Sequence, residues 1–219
     1  MLEFTSYIIQ KRKALKLTID YQKNWNERYG GSDFLFGREP NAYFKCKLEN
    51  LHIGKLYLPG DGEGRNAVYA AQKGWDVYTV DFSEVAISRA KEFAEEKNVK
   101  INIGFTNLIS DKLPQNEFDV LGVSFLHFND ENKKIVHTKL KESIKIGGYV
   151  ILECFSEEQI KLNSGGPRKK DSLYNIEELK KYYTNFEFIE LKETKIVLDE
   201  SEAHRGDAFV VRMFARKLS

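Results

Sequence analysis

Cysteine, proline and net charge are all scarce in this sequence of 219 residues. The two cysteines, Cys46 and Cys154, are too few for a disulfide framework or a zinc cluster, and they indicate a reducing compartment. A formal net charge of +1 gives no general attraction to nucleic acid or to an anionic membrane. These shortages argue against a disulfide-rich secreted protein, a metal site and a nucleic-acid partner.

Long apolar runs are also missing, since no stretch approaches the ~20 residues that span a bilayer. Lys11, Arg12 and Lys13 interrupt Met1–Leu17, so we expect a solvated charge run there and no signal-peptide core. Hydrophobic residues make up 42% of the chain, which is enough to build a core. We therefore expect a cytoplasmic protein without a membrane partner, folded as a single domain over residues 1–219.

The most informative stretch is residues 55–71, KLYLPGDGEGRNAVYAA. Its apolar run Leu56–Leu58 predicts a buried strand. Gly60, Gly62 and Gly64 then alternate with other residues in a turn, and residues 66–73 have helical composition. A glycine-rich turn between a strand and a helix lets the backbone approach a ligand closely, with helix amides aimed at it.

A second strand, residues 75–80, ends at Asp81, 19 positions after Gly62. That spacing is close to the ~20 residues expected for an acid that binds ribose hydroxyls at the tip of the second strand. Sites for dinucleotides and for S-adenosylmethionine both use a glycine loop. The glycines here follow G-x-G-x-G and not the dinucleotide pattern G-x-G-x-x-G, which argues against a nicotinamide oxidoreductase.

Residues 21–40 predict a helix that carries Trp25, Arg28 and Tyr29 on one face and ends at Gly30-Gly31. Two interpretations are open. The helix either packs on the sheet as an amphipathic element, or it forms a lid over the cofactor, with an arginine that meets the cofactor's carboxylate. In the second case residues 1–40 are an N-terminal extension that includes the lid.

The rest of the chain alternates between strand and helix patterns. Ser83 and Asn175 are expected to cap helices, Gly147-Gly148 to form a turn, and His52 and His137 to be exposed. Residues 156–174 predict a mobile basic loop, either an exposed linker or a substrate lid. Further strands are predicted at residues 101–104, 118–123, 149–153, 186–194 and 208–215, and helices within residues 41–54 and at 84–93, 129–144 and 176–183.

Several motifs together resemble one family, the tellurite-resistance-type branch of the class I S-adenosylmethionine-dependent methyltransferases, from about Tyr21 to the end. The glycine loop with V-D-F-S is specific to the superfamily, whereas the branch motifs are shorter. The matching motifs are W-x-x-R-Y (Trp25, Arg28, Tyr29), F-G-x-x-P-N (Phe36 to Asn41), G-x-G-x-G-R-N-A (Gly60 to Ala67), V-D-F-S (Val80 to Ser83), G-G-P (Gly165 to Pro167), H-R (His204, Arg205) and ARK (Ala215 to Lys217).

This resemblance implies an α/β fold: a doubly wound, Rossmann-like, mostly parallel seven-stranded sheet with an antiparallel last strand and helices on both faces. It implies S-adenosyl-L-methionine as cofactor and a small-molecule methyl acceptor, a thiol or an oxyanion of tellurium or selenium. The catalytic residues it implies are His204 and Arg205. His127 is a further catalytic candidate, because it follows the fourth predicted strand at the rim where open α/β sheets bind ligands. The cofactor-binding residues expected from the motifs and the resemblance are Arg28, Gly60, Asp61, Gly62, Gly64, Asn66, Asp81, Phe82, Ser83, Asn107, Leu108 and Ser124.

Two positions depart from the pattern of the class. Leu58 stands where most members have a first-strand acid that contacts the methionine amino group of the cofactor. Another group must therefore make that contact here. Asp61 lies within the loop, and whether it substitutes is open. Asn107 stands where members often have an acid that contacts the adenine amino group, and its amide can still reach the adenine edge.

Methyl transfer from a sulfonium is an in-line displacement that needs positioning and exclusion of water, and no nucleophile or metal cluster. Arg205 would then hold an anionic acceptor, and His204 would orient it or accept a proton, unless both lie in a surface turn. For His127 the alternative is a hydrogen-bonded loop histidine. A non-catalytic sensor or scaffold, suggested by Leu58, remains a second function class. The acceptor's identity and the choice between monomer and homodimer are left open.

Overall fold

The structure, a computed structural model, describes residues 20–219. The expectations for Met1–Leu17 lie outside the described residues. The strands are β1 (Lys55–Pro59), β2 (Asp76–Asp81), β3 (Asn102–Phe105), β4 (Phe118–Ser124), β5 (Ile144–Phe155), β6 (Phe186–Ser201) and β7 (His204–Lys217). The helices are α1, described over residues 20–29, α2 (Ala42–Leu48), α3 (Arg65–Gln72), α4 (Glu84–Glu96), α5 (Asp130–Glu142) and α6 (Ile176–Tyr182), with short 3-10 turns at Glu157–Lys161 and Lys170–Ser172.

All seven strands form one sheet in the order β3-β2-β1-β4-β5-β7-β6. The first five are parallel, and β7 runs antiparallel to both of its neighbours, β5 and β6. The strand order reverses between β1 and β4, and the crevice at such a switch point is where open α/β sheets bind ligands. The fold class implied by the resemblance is therefore confirmed.

Four of the helices are preceded by an N-cap residue with a short polar side chain. The side chains of Asn41, Ser83, Asn129 and Asn175 each accept a hydrogen bond from the backbone amide three residues further on. Each bond satisfies an amide that the helix itself cannot pair, and this typically contributes about 1 kcal/mol. The predicted caps at Ser83 and Asn175 are confirmed.

Alternation along the central strands divides the core between two faces of the sheet. Leu56, Leu58 and Val120 are buried with residues of α2 and α3 on one face. Tyr57 and Leu121 are buried with residues of α5 and α6 on the other. Parallel strands with apolar residues on both faces need helices on both faces, as observed here.

Gly122 in β4 lies where two elements approach too closely for a side chain. A Cβ at Gly122 would lie 2.5 Å from Cδ2 of Leu58 and 2.7 Å from Cε2 of Phe44. Both neighbours are buried, so we expect Gly122→Ala to lower the free energy of unfolding by about 1–3 kcal/mol through overpacking. Gly104→Ala in β3 is the matched control, because nothing lies within 4 Å of a Cβ there. Urea denaturation measures both, and equal stabilities would contradict the close approach.

The expectation that His137 is exposed is wrong. Its ring is fully buried between α5 and α6, and it hydrogen-bonds the hydroxyls of Tyr183 (2.9 Å, Nδ1) and Tyr174 (2.8 Å, Nε2). Because both nitrogens have partners, the ring can be buried without an unpaired polar atom. Burial lowers the pKa of His137 to about 3, so the ring is neutral.

Two turns were also placed wrongly. Gly147 and Gly148 lie within β5, in a register irregularity opposite β4, because the positive φ of Gly147 (83°) bends the strand without ending it. The last two strands form one long hairpin whose ladder continues to the pair Ser201 and His204. His204 and Arg205 consequently begin a strand instead of lying in a loop.

None of the helices within residues 20–219 combines the length and the apolar character that crossing a bilayer requires.

Candidate functional site

The glycine loop lies at the carboxyl end of β1, beside the point where the strand order reverses. Gly60, Gly62 and Gly64 all have positive φ angles, 68°, 61° and 82°. Other residues rarely adopt this conformation, which explains the alternation of glycines in the sequence. Gly64 is also the residue before α3, so the loop leads the chain directly into the first turn of a helix.

Asp81 connects the two loops that border the crevice. Its carboxylate accepts a hydrogen bond from the amide of Gly62 (3.0 Å) and another from the amide of Ser83 (2.8 Å). Burial raises the pKa of Asp81, while the hydrogen bonds from Ser83, Gly62 and Phe82 oppose that shift. The acid predicted from its spacing to the glycine loop therefore lies directly against that loop.

Helix α1 covers the glycine loop. The hydroxyl of Tyr29 lies 2.6 Å from where a Cβ of Gly62 would be, so the ring lies directly over the loop. Trp25 stacks on Tyr29, with ring centroids 5.4 Å apart, and the guanidinium of Arg28 lies 4.4 Å from the Trp25 ring centroid. The predicted helix face of Trp25, Arg28 and Tyr29 is confirmed, and it faces the crevice. This geometry favours the lid interpretation.

The turn after β2 is attached to the same helix. The hydroxyl of Ser83 is the cap of α4 and donates a hydrogen bond to Asn26 (2.6 Å) in α1. Phe82 packs between Tyr21 of α1 and Phe105 of β3, at centroid distances of 6.4 and 5.2 Å. The V-D-F-S motif therefore joins Asp81 to an aromatic surface on one side of the crevice.

Beneath the loop, a chain of polar side chains links Asp61 to Glu153 near the carboxyl end of β5. Asp61 accepts hydrogen bonds from the side chain of Asn66 (2.7 Å) and the amide of Ala67 (2.9 Å). Burial raises the pKa of Asp61 to about 6, although these hydrogen bonds favour its charged form. Asn66 accepts from the amide of Asn41 (2.9 Å), whose side chain donates to Glu153 (2.6 Å). The residues of G-R-N-A and F-G-x-x-P-N are thus hydrogen-bonded to one another.

Three other predicted cofactor residues lie at or near the same rim. The side-chain oxygen of Asn107 accepts from the amide of Ile109 (3.0 Å), which leaves its amide nitrogen without a partner among residues 20–219. Leu108 is buried in the core on the α5 and α6 face. Ser124 ends β4 opposite Glu153 and is half-buried.

Both ring nitrogens of His127 contact backbone groups of neighbouring segments. Its Nδ1 donates to the backbone carbonyl of Ser172 (2.8 Å), and its Nε2 lies 3.4 Å from the amide of Phe155. Burial lowers the pKa of His127 to about 4. This geometry favours the interpretation of a hydrogen-bonded loop histidine over that of a residue near the acceptor.

His204 and Arg205 are separated by the strand that contains them. His204 is 4% exposed and packs against Phe36, Phe125 and Phe155, at centroid distances of 4.5, 4.7 and 5.4 Å. The side chain of Arg205 is 64% exposed and lies 3.5 Å from the still more exposed carboxylate of Asp199. Successive strand residues face opposite sides, so only His204 reaches the aromatic cluster.

The loop between β5 and α6 is hydrogen-bonded to β7 near its centre. Gln159 donates to the carbonyl of Gly165 (3.0 Å) and accepts from the amide of Phe209 (2.9 Å). The hydroxyl of Ser164 donates to the carbonyl of Asp207 (2.5 Å). These bonds fix the G-G-P motif against β7, beside His204.

Sequence reasoning missed Arg65, Glu153 and Glu200. Glu153 is 3% exposed and pairs with Arg212 in β7 (2.5 Å). Glu200 pairs with both Arg65 (3.1 Å) and His204 (2.9 Å). Two signals were available, since Arg65 lies within the G-x-G-x-G-R-N-A motif and Glu153 lies at the end of a buried strand. The pairing itself could not be foreseen, because the partners are distant in sequence or separated by a turn.

The sheet order, the glycine loop at the end of β1 and the acid at the end of β2 define the class I methyltransferase fold. A solved structure described as the conversion of a disulfide bond into a thioacetal group during echinomycin biosynthesis has this fold, with a TM-score of 0.74, 16% identity and coverage of 92% of each chain. The crystal structure of TehB from Haemophilus influenzae has a TM-score of 0.66 and 22% identity, covering 90% of this chain and 66% of that one.

The chain belongs to the tellurite resistance protein TehB family, whose family model matches residues 46–216. A curated relative, the probable S-adenosyl-L-methionine-dependent methyltransferase TehB of Haemophilus influenzae, is 29% identical over 164 residues. That alignment covers 74% of this chain and 51% of the relative. The chain therefore spans about half the length of the curated relatives it matches.

Proposed function

We propose that this chain is an S-adenosylmethionine-dependent methyltransferase that acts on a small, soft nucleophile. The observation that carries the proposal is the contact between Asp81 and the amide of Gly62 (3.0 Å), which joins the acid of β2 to the glycine loop. An acid in this position suits the two ribose hydroxyls of an adenosyl group, since a carboxylate offers acceptors only. Membership of the TehB family supports the same assignment.

The residues around the crevice fit such a cofactor in chemistry as well as in position. When bound, S-adenosylmethionine supplies a methyl group already activated by a sulfonium. Asp81 would bind the ribose, the stretch from Gly60 to Gly64 would allow close backbone approach, and Phe82 would pack on the adenine. Arg28 has no carboxylate within 4 Å among residues 20–219, so it remains available for the cofactor's own carboxylate.

Helix α1 performs the other main task of a methyltransferase, which is to exclude water. Trp25 and Tyr29 close the crevice above the glycine loop, and positioning within a closed site accounts for a large part of the rate of a displacement. The acceptor would enter on the side of His204, where three phenylalanine rings suit a soft and polarizable group. A thiol and an oxyanion of tellurium or selenium are the acceptor classes we propose.

The alternative is a sensor or scaffold that binds S-adenosylmethionine without turnover. One observation favours it. Leu58 is 1% exposed and packed in the core, so the position of the usual first-strand acid carries no charge here. Both functions predict binding of the cofactor, and only the first predicts release of the demethylated product.

Calorimetry followed by a turnover assay tests the proposal. We expect the chain to bind S-adenosylmethionine in the micromolar range typical of enzyme substrates, and NAD not at all. Release of S-adenosylhomocysteine is then measured with sodium sulfide, sodium selenite and sodium tellurite as separate acceptors. Turnover with one of them supports the enzyme. Binding without any turnover would favour the sensor, and the absence of binding would contradict both functions.

A further inference from the structure

His204 and Glu200 form a hydrogen-bonded pair at the tip of the β6–β7 hairpin. Nδ1 of His204 lies 2.9 Å from Oε2 of Glu200. A carboxylate can only accept, so Nδ1 must carry the hydrogen, and in a neutral ring Nε2 then has the lone pair. No residue within 20–219 hydrogen-bonds to that Nε2. The pair therefore holds the ring in a single tautomer with a basic nitrogen still available.

An irregularity in the hairpin brings these two side chains together. Asp199 pairs with Arg205 and Ser201 pairs with His204, so Glu200 is an extra residue without a partner on β7. Ser201 and His204 are paired, so their side chains lie on the same face of the hairpin. In a regular ladder the side chain of Glu200 would lie on the opposite face, because successive side chains alternate. A bulge breaks that alternation and redirects a side chain, which is how Glu200 comes to meet His204.

Arg65 holds the carboxylate in place from the cofactor side. Its Nη2 lies 3.1 Å from Oε2 of Glu200, and its Nη1 donates to the carbonyl of Phe36 (2.8 Å). Burial alone would raise the pKa of Glu200, but the hydrogen bond from His204 and the charge of Arg65 outweigh it and lower that pKa. Glu200 is therefore ionised at neutral pH. Arg65 directly follows Gly64, so the loop that would bind the cofactor also anchors the pair.

The surroundings keep the imidazole neutral. Burial among phenylalanine rings lowers the pKa of His204, and Glu200 partly opposes that shift. The positive charges of Arg65 and Arg28 lower the pKa further, and His127 is the other ionisable ring nearby. A neutral imidazole with a free lone pair is the form that removes a proton.

We propose that Glu200 is a positioning residue, which fixes His204 as a neutral base toward a methyl acceptor that arrives with a weakly acidic proton. This inference rests on the proposed function. Thiols and hydrogen chalcogenides have such a proton and suit the aromatic surroundings of the ring. The proton of the acceptor passes to Nε2 of His204, and the electron pair it leaves forms the new bond to the methyl carbon. The carbon–sulfur bond of the donor breaks, and its electron pair neutralises the sulfur.

The first test is the tautomer of His204 in the full chain, read from nitrogen-15 chemical shifts in the presence of S-adenosylhomocysteine. We expect hydrogen on Nδ1 in the unmodified protein. In Glu200→Gln we expect a loss of that preference and a lower pKa of His204, because Glu200 raises it. Glu202→Gln is the matched control, since it removes the same charge from the exposed turn of the same hairpin. A hydrogen on Nε2 in the unmodified protein would overturn the proposal.

The second test is the rate with sodium sulfide as the probe acceptor. Glu200→Gln is expected to lower kcat about 10-fold or more with little change in the KM for S-adenosylmethionine, and to move the acidic limb of the pH profile to lower pH. A rate and pH profile equal to those of Glu202→Gln would overturn the role of Glu200. If Glu200→Gln does not fold, Glu200→Asp replaces it, and the tautomer of the unmodified protein still decides. Binding of the donor without turnover on any acceptor overturns the proposed function instead.

Discussion

Replacing Asp81 by alanine is expected to weaken the binding of S-adenosylhomocysteine about 100-fold. The carboxylate holds the amides of Gly62 and Ser83 at 3.0 and 2.8 Å, so its loss releases both loops that border the crevice. Hydrogen bonds to a charged group contribute about 1.5–3 kcal/mol each, and the ribose contacts would be lost together with them. A loss of about 3 kcal/mol corresponds to about a hundredfold change in the dissociation constant.

Calorimetry against Asp76→Ala provides the comparison for this variant. Asp76 begins the same strand and is exposed, with a hydrogen bond from Asn102 at 3.2 Å, so its removal leaves the crevice unchanged. As the pH is lowered, we expect the affinity for S-adenosylhomocysteine to decrease at a higher pH than it would with an ordinary aspartate. The reason is that burial raises the pKa of Asp81, and protonation removes the acceptor. An affinity for Asp81→Ala within about threefold of the unmodified protein would contradict the proposed ribose contact.

The cofactor half of the candidate site was predictable because its signals are local. Gly60, Gly62 and Gly64 each need a positive φ, which restricts their positions to glycine and leaves a visible alternation. Asp81 lies at the end of the neighbouring parallel strand, so its distance along the chain follows from the length of one strand–helix–strand unit. The order of strands and helices followed from hydrophobic runs and caps in the same way.

The acceptor half was predictable only in part. Sequence reasoning grouped His204 and Arg205 because they are adjacent, but a strand sends adjacent side chains to opposite faces. The hydrogen bond between Glu200 and His204 depends on a bulge, and no residue type in the sequence indicates that bulge. The burial of His137 depends on the hydroxyls of Tyr174 and Tyr183, 37 and 46 residues away. Long-range partners of this kind leave no periodic pattern.

The surroundings of Leu58 and Asp61, near the position of the missing first-strand acid, also could not be predicted from the sequence. Leu58 packs in the core. Asp61 accepts a hydrogen bond from Asn66, which begins a hydrogen-bonded series that continues through Asn41 to Glu153. Such a series is stable only when every member has its partners, since a buried polar group left unpaired costs more than the bond contributes. Its least replaceable member is Glu153, which is 3% exposed and joins the side chain of Asn41 to that of Arg212.

Glu153→Ala is accordingly expected to lower the free energy of unfolding by about 3 kcal/mol. The change leaves the guanidinium of Arg212 without its 2.5 Å partner and the side-chain amide of Asn41 without its acceptor. Breaking a buried ion pair by removing one member costs about 3–5 kcal/mol, and the lower end applies because the Arg212 side chain is 23% exposed. Urea denaturation monitored by circular dichroism measures the change.

Two further variants separate the unpaired charge from the loss of packing. Asp207→Ala removes a carboxylate from the exposed pair with Lys195, and we expect it to change stability by less than about 1 kcal/mol. Replacing Glu153 and Arg212 together by methionine removes both charges, and we expect it to be more stable than Glu153→Ala alone, because no uncompensated charge remains. A double variant as unstable as Glu153→Ala would show that the cost lies in Asn41 and the packing around it. A Glu153→Ala protein as stable as Asp207→Ala would mean that the pair at the end of β5 is solvated and contributes little to the fold.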